Sequence, residues 1–139
     1  MTYAHPVTIR PRFTSLLFSF LQAFPIACFT LTLFTDLAYL QTYNLLWLHF
    51  SEWLLFAGLV FGGLALVVCL FGAIFRRMRS SWLAVAGGIV VLCLAVLNSF
   101  VHTSDGWTAV YPFGVTLSII TVLAIIATGW LNWRTVNYV

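Results

Sequence analysis

Four long apolar stretches, at roughly 13–35, 47–75, 81–101 and 111–133, alternate with short polar segments along the chain. A helix needs about 20 apolar residues to cross the hydrocarbon of a bilayer, and each stretch meets that length. Within the stretches, small and polar residues keep a helical rhythm. The second carries Gly58, Gly62, Ala65, Cys69 and Gly72, and the third Ala84, Gly88, Val91, Ala95, Asn98 and His102. The fourth carries Gly114, Ser118, Thr121 and Thr128, and the first Cys28, Thr32 and Thr35. Steps of four and three draw one stripe along a gently supercoiled helix. Lipid exerts no hydrophobic force between helices, so stripes that let backbones approach supply the packing contacts. The pattern predicts an all-α integral membrane protein, with four transmembrane helices in an antiparallel up-and-down bundle. Gly58, Gly62, Gly72, Gly88 and Gly114 are its expected helix-packing positions. The Phe, Leu, Ile and Val of the other faces meet lipid. Gly58 and Gly62 also fit the small-xxx-small dimer motif, so they serve either internal packing or a homodimer.

The bundle forms one domain, 13–134, between an N-terminal arm at 1–12 and a tail at 135–139. Pro6 and Pro11 discourage helix in the arm, and Pro25 is expected to kink the first span. An alternative leaves 13–23 interfacial and starts that span near Phe24, which carries Asp36 several residues deeper. An outer loop, QTYNLL, then leads to the second span, whose outer end Trp47 and Trp53 mark. RRMRS makes an inner turn before the third span. HTSDGWTAVYP, with its Asp-Gly and Tyr-Pro turn signals, makes the second outer loop. Trp130, Trp133 and Arg134 anchor the inner end of the fourth span.

Charge sets the orientation. Threading the stretches alternately through a bilayer puts Arg10, Arg12, Arg76, Arg77, Arg79 and Arg134 on one face, and Asp36, Glu52 and Asp105 on the other. Basic loops resist translocation, so the arginine face is cytoplasmic and both termini lie there. Only 6% of the 139 residues are charged, against about 25% in soluble domains, and mean hydropathy is +1.06. The net charge of +3 lies beside membrane spans, where lipid phosphates are the neighbours and nucleic acid is not a partner. Cys28, Cys69 and Cys93 lie inside apolar stretches without CxxC spacing and read as small buried hydrophobes. The apolar run after Arg12 has no A-x-A cleavage site and is long enough to span, so it reads as a retained helix.

The groups able to carry chemistry gather at the outer end. His49 and His102 sit near the outer ends of adjacent spans, with Asp36, Glu52, Asp105 and Asn98 at a similar depth. Three readings fit them. His102 and His49 act as axial haem ligands; histidine and carboxylate hold a divalent metal, although no HxxxH or ExxH pattern is present; or the polar residues bond to one another and across helices. In the third reading Asp36 accepts bonds from His102 or from Ser and Thr of neighbouring helices, because an unpaired carboxylate in the apolar layer costs about 3 kcal/mol or more. His5 lies on the opposite face. No GxSxG, P-loop, dinucleotide-binding or triad pattern occurs, so no catalytic residues and no metal ligands are assigned, and the protein is read as a non-enzyme.

The stretches FPIACFTLTLFTDLAYLQT, FSEWLLFAGLVFGGLALVVCLFG and NSFVHTSDGWTAVYPFGVTLSIITVLAIIATGWLNW resemble an uncharacterised bacterial family. It is a family of four-helix membrane proteins (domain of unknown function, DUF 2231 type), some members of which are fused to Rieske iron–sulfur domains. The resemblance covers about 20–133 and rests on Phe24-Pro25, Asp36, Trp53-Leu54-Leu55, Gly58, Gly62, Asn98, His102, Asp105-Gly106-Trp107, Pro112, Gly114, Leu117-Ser118 and Gly129-Trp130. It implies the four-helix fold and the bacterial inner membrane. This chain is a divergent member. Phe18-Ser19 stands where members carry His-Pro, Ala84 where many have histidine, and RTVNYV where many have a longer basic tail. If those histidines hold a redox cofactor in the family, their replacement implies that this chain has lost it. The leading expectation is a non-enzymatic inner-membrane subunit that joins other integral subunits in a larger complex, in electron transfer. The alternatives are a haem- or quinone-binding electron carrier using His102 and His49, and a small proton-coupled transporter using Asp36.

Overall fold

The computed structural model describes residues 13–75, 82–104 and 110–137. Four helices make up nearly all of it: α1 (Phe13–Thr42), α2 (Leu45–Ile74), α3 (Trp82–Ser104) and α4 (Val115–Asn137). Each contains a stretch long and apolar enough to span a membrane. At 1.5 Å per residue, the 30 residues of α1 and of α2 exceed the roughly 30 Å of hydrocarbon. Their ends therefore reach the headgroup layers, or the helices tilt.

The first span does not end at Thr35. α1 continues through Thr42, and the expected QTYNLL loop shrinks to Tyr43-Asn44. The stripe explains the extension: Pro25, Phe29, Thr32, Asp36 and Tyr39 are all buried, in steps of four and three, so the helix still gains contacts beyond Asp36. It stops where Tyr43 turns left-handed at φ 50°. Asn44 then caps α2, its side-chain oxygen accepting from the Leu46 N–H at 3.0 Å. Pro25 lies inside α1, so the proposed break near Phe24 does not occur. Asp36 is nonetheless well within the helix.

Adjacent helices pack in a ring, α1 on α2, α2 on α3, α3 on α4 and α4 on α1. On α2 the buried residues are Leu48, Ser51, Leu55, Gly58, Gly62, Ala65, Cys69 and Gly72. Two of these glycines permit close approach. A Cβ on Gly58 would overlap the Phe29 ring of α1, and one on Gly62 would lie 2.5 Å from Leu92 Cδ2 of α3. The Gly58–Gly62 motif is thus used within the chain. Gly72 and Gly114 are also buried. Gly88 departs from the expectation: nothing lies within 4 Å of a Cβ placed there, so it makes no close helix contact.

The core divides into two apolar clusters. Phe29, Leu55, Val91 and Ala95 form one, with Leu59, Leu92, Ala124 and Ile125 against it. Tyr39, Leu48, Val110 and Val115 form the other, beneath the irregular turn Val110–Gly114 that leads into α4. Along α1, α2 and α4 the residues between these clusters in sequence include Asp36, Ser51 and Ser118. The bundle therefore carries a polar layer between two apolar ones.

Candidate functional site

Every helix contributes to that layer: Asp36 from α1, Ser51 from α2, Asn98 and His102 from α3, and Ser118 from α4. All five are at most 1% exposed. Each sits on its helix's inward stripe, which is why residues far apart in sequence meet. Asn98 and His102 are one turn apart on α3, and Ser51 lies between the buried Leu48 and Leu55.

Their hydrogen bonds converge on Asp36. The Ser51 hydroxyl donates to Oδ1 at 2.6 Å, and the Ser118 hydroxyl donates to Oδ2 at 2.6 Å. His102 Nε2 lies 3.0 Å from Oδ1. Ser118 has one hydrogen and spends it on Asp36, so its oxygen is free to accept from Asn98 Nδ2 at 2.8 Å. The Thr35 hydroxyl lies 2.7 Å from Ser51 Oγ and also faces the Thr32 carbonyl oxygen at 2.9 Å, so these acceptors compete for its single hydrogen. This ties a second residue of α1 into the layer.

The histidine's protons follow from its partners. Nδ1 lies 3.0 Å from the Asn98 carbonyl oxygen, which can only accept, so Nδ1 carries a hydrogen. One further proton occupies the line between Nε2 and Asp36 Oδ1. On nitrogen it makes an imidazolium–carboxylate pair; on oxygen it leaves both groups neutral. Net charge is zero in either arrangement, which makes the pair tolerable in an apolar layer where a lone charge is costly. The proton belongs to the pair rather than to either residue. One acceptor is left over: among the described residues, Asn98 Oδ1 is the buried side-chain atom without a hydrogen-bond partner. Turning the amide around would not help while Ser118 donates to Asp36, since Ser118 then has no hydrogen to offer an oxygen.

The outer cluster read from the sequence therefore separates into two parts. Asp36, Asn98 and His102 come together in the buried layer. His49 and Glu52 instead pair with each other at 3.2 Å, one turn apart, with His49 side chain 63% exposed. The two imidazoles expected to share a haem are not assembled: both nitrogens of His102 are engaged inside the bundle, while His49 sits at the surface against Glu52. Asp105 lies outside the described residues, as do Arg10, Arg12, Arg76, Arg77 and Arg79. Arg134 lies 4.7 Å over the Trp130 ring, a cation–π contact. Among the described residues, no three of His, Cys, Asp and Glu gather to hold a metal ion, and the three cysteines are free. Ser51 is the member that sequence reasoning missed. Counting the Gly58 stripe backward by three, four and three reaches Leu55, Ser51 and Leu48, and would have found it.

Comparison with curated proteins and with solved structures finds no match. The profile of one family, described as "Predicted membrane protein (DUF2231)", matches residues 18–138, nearly the whole of the chain and all five residues of the polar layer. The chain belongs to this DUF2231 family of membrane proteins.

Proposed function

We propose that this multi-span membrane protein is a non-enzymatic subunit of a larger membrane complex, to which it contributes a buried proton-holding centre. One observation carries the reading: Asp36 and His102 lie 3.0 Å apart with both side chains 0% exposed, inside helices that span the bilayer. An ionisable pair at that depth is retained against its desolvation cost, and such pairs in membrane proteins characteristically lie on proton pathways. The shared proton moves between Nε2 and Oδ1 without creating net charge. Ser51, Ser118 and Asn98 extend the bonded path to the other helices. Electron transfer through membranes is coupled to proton movement, so an electron-transfer complex is the setting that such a centre fits.

In this reading the bundle is antiparallel and both termini are cytoplasmic. The contacts of Asp36 with Ser51, Phe29 with Gly58 and Pro25 with Gly62 support opposed directions for α1 and α2. The arginine distribution supports the orientation.

Infrared difference spectroscopy of the purified chain in lipid nanodiscs tests the centre. The expected result is a carboxyl band, sensitive to hydrogen–deuterium exchange, that vanishes in Asp36→Asn and shifts in His102→Gln. A spectrum without any Asp36-dependent change would make the layer a fixed clip between helices and end this reading. Purification in mild detergent tests the assembly. Partner subunits are expected to co-purify, and recovery as a lone monomer would argue against a complex.

A further inference from the structure

Away from the polar layer, in the other half of the bundle, lies a cavity of about 380 Å³ bordered by all four helices. That volume falls within the roughly 300–1,000 Å³ of small-ligand sites. Its floor is apolar, formed by Phe29 and Val91 of the first core cluster, while Ser19, Gln22 and Asn132 lie toward the helix ends. Two glycines on its wall are informative. The half-buried Gly88 of α3 and the exposed Gly129 of α4 have nothing within 4 Å of an added Cβ, so the cavity opens between these helices, whereas the space beside Gly58 and Gly62 is filled by neighbouring side chains. Glycine in membrane helices ordinarily brings backbones together; at Gly88 and Gly129 it leaves room instead. Water gains little in such a space, because a buried water needs two to four polar partners.

The ends of the helices indicate what fills it. The cavity lies in the first half of α1, the second half of α2, the first half of α3 and the second half of α4. In the sequence that end of the bundle is flanked by all six arginines: 10 and 12 before α1, 76, 77 and 79 after α2, and 134 in the last turn of α4. An apolar pocket grading to polar residues, at the end of the bundle where the sequence places the arginines, matches an amphiphile with an anionic head. We propose that this cavity binds one acyl chain of an anionic phospholipid, its methyl end toward Phe29 and Val91 and its phosphate at the arginine-bearing end.

Native mass spectrometry of the delipidated chain, with phosphatidylglycerol or phosphatidylcholine added back, tests this. One phosphatidylglycerol is expected per chain, bound at least about tenfold more tightly than phosphatidylcholine. An added Cβ at Gly88 or Gly129 meets nothing within 4 Å, so Gly88→Leu and Gly129→Leu extend a side chain into the open space there. They are expected to weaken binding at least about tenfold while helix content and elution volume stay unchanged. Chain length provides a check that needs no variant: short-chain phosphatidylglycerol is expected to bind at least about tenfold more weakly than long-chain. Equal binding of the two headgroups overturns the proposal, as does equal binding of the two chain lengths. So does lipid retention by both leucine variants. A quinone in the organic extract in place of phospholipid assigns the cavity to a different occupant and also overturns it, as does a dimer that Gly88→Leu dissociates.

Discussion

Replacing Asp36 with alanine removes the carboxyl group on which three buried hydrogen bonds converge, with Ser51 and Ser118 at 2.6 Å and His102 at 3.0 Å. Hydrogen bonds between membrane helices are worth about 0.6 kcal/mol on average and about 1.7 at most, so three contribute about 2–5 kcal/mol. Removing one partner of a buried ion pair in soluble proteins costs about 3–5 kcal/mol, which overlaps that range. Both routes allow about 3–5 kcal/mol of destabilisation for Asp36→Ala. His102→Ala removes one of the three bonds to Asp36 and the bond to the Asn98 carbonyl, and should cost about 2 kcal/mol. Once Asp36 is gone the His102 bond is already lost, so the double variant should be at least about 1 kcal/mol less damaged than the sum. Asp36→Asn keeps one acceptor oxygen and should cost about half as much as alanine. Reversible unfolding by SDS titration in mixed micelles, at fixed pH, reads these differences. Single-variant costs that add to within about 0.5 kcal/mol in the double variant would mean that Asp36 and His102 do not interact, and the proton-holding centre would fall with them.

Gly58→Ala drives a methyl group into the buried Phe29 ring; a loss of about 1–3 kcal/mol is expected in the same titration, largely restored by adding Phe29→Leu, and an unchanged midpoint would refute the tight α1–α2 contact. His49→Ala breaks the exposed pair with Glu52 and should shift stability by no more than about 0.5 kcal/mol; a change as large as that of His102→Ala would show that His49 belongs to the buried network after all. For topology, single cysteines placed at 79 and 105, with Cys28, Cys69 and Cys93 replaced, should react with an impermeant thiol reagent from opposite sides of oriented vesicles. Labelling of both from one side would overturn the proposed orientation.

Asp36 and His102 were both visible in the sequence, because ionisable residues stand out among apolar ones and are expensive when unpaired. That Asp36 would bond to His102 and to Ser or Thr of other helices was a legible option, but one of three. The sequence leaves the depth of Asp36 open between two starts of the first span, because the polar run after Leu40 resembles a loop. The helix in fact continues to Thr42 and turns within two residues. His49 looked equivalent to His102 for the related reason that depth along a helix says nothing about its rotation. His49 and Glu52 stand three positions apart, which makes them surface neighbours, and one position off the stripe of Leu48 and Ser51 turns the imidazole away from the core.

Span number, helical state and the inward stripe are properties of a one-dimensional pattern. They follow from hydrocarbon thickness and from the 3.6-residue turn, both of which act locally. The convergence of four helices on one carboxylate is a different kind of fact. It depends on the axial register of each helix against its neighbours, set by contacts such as Phe29 in the hollow of Gly58 and Leu92 over Gly62. A shift of one turn along any helix would keep every stripe intact yet move a polar group about 5.4 Å along the axis, out of hydrogen-bonding reach. The same packing left Gly88 and Gly129 facing space rather than a neighbour, although nothing in their spacing distinguished Gly88 from the glycines that are packed.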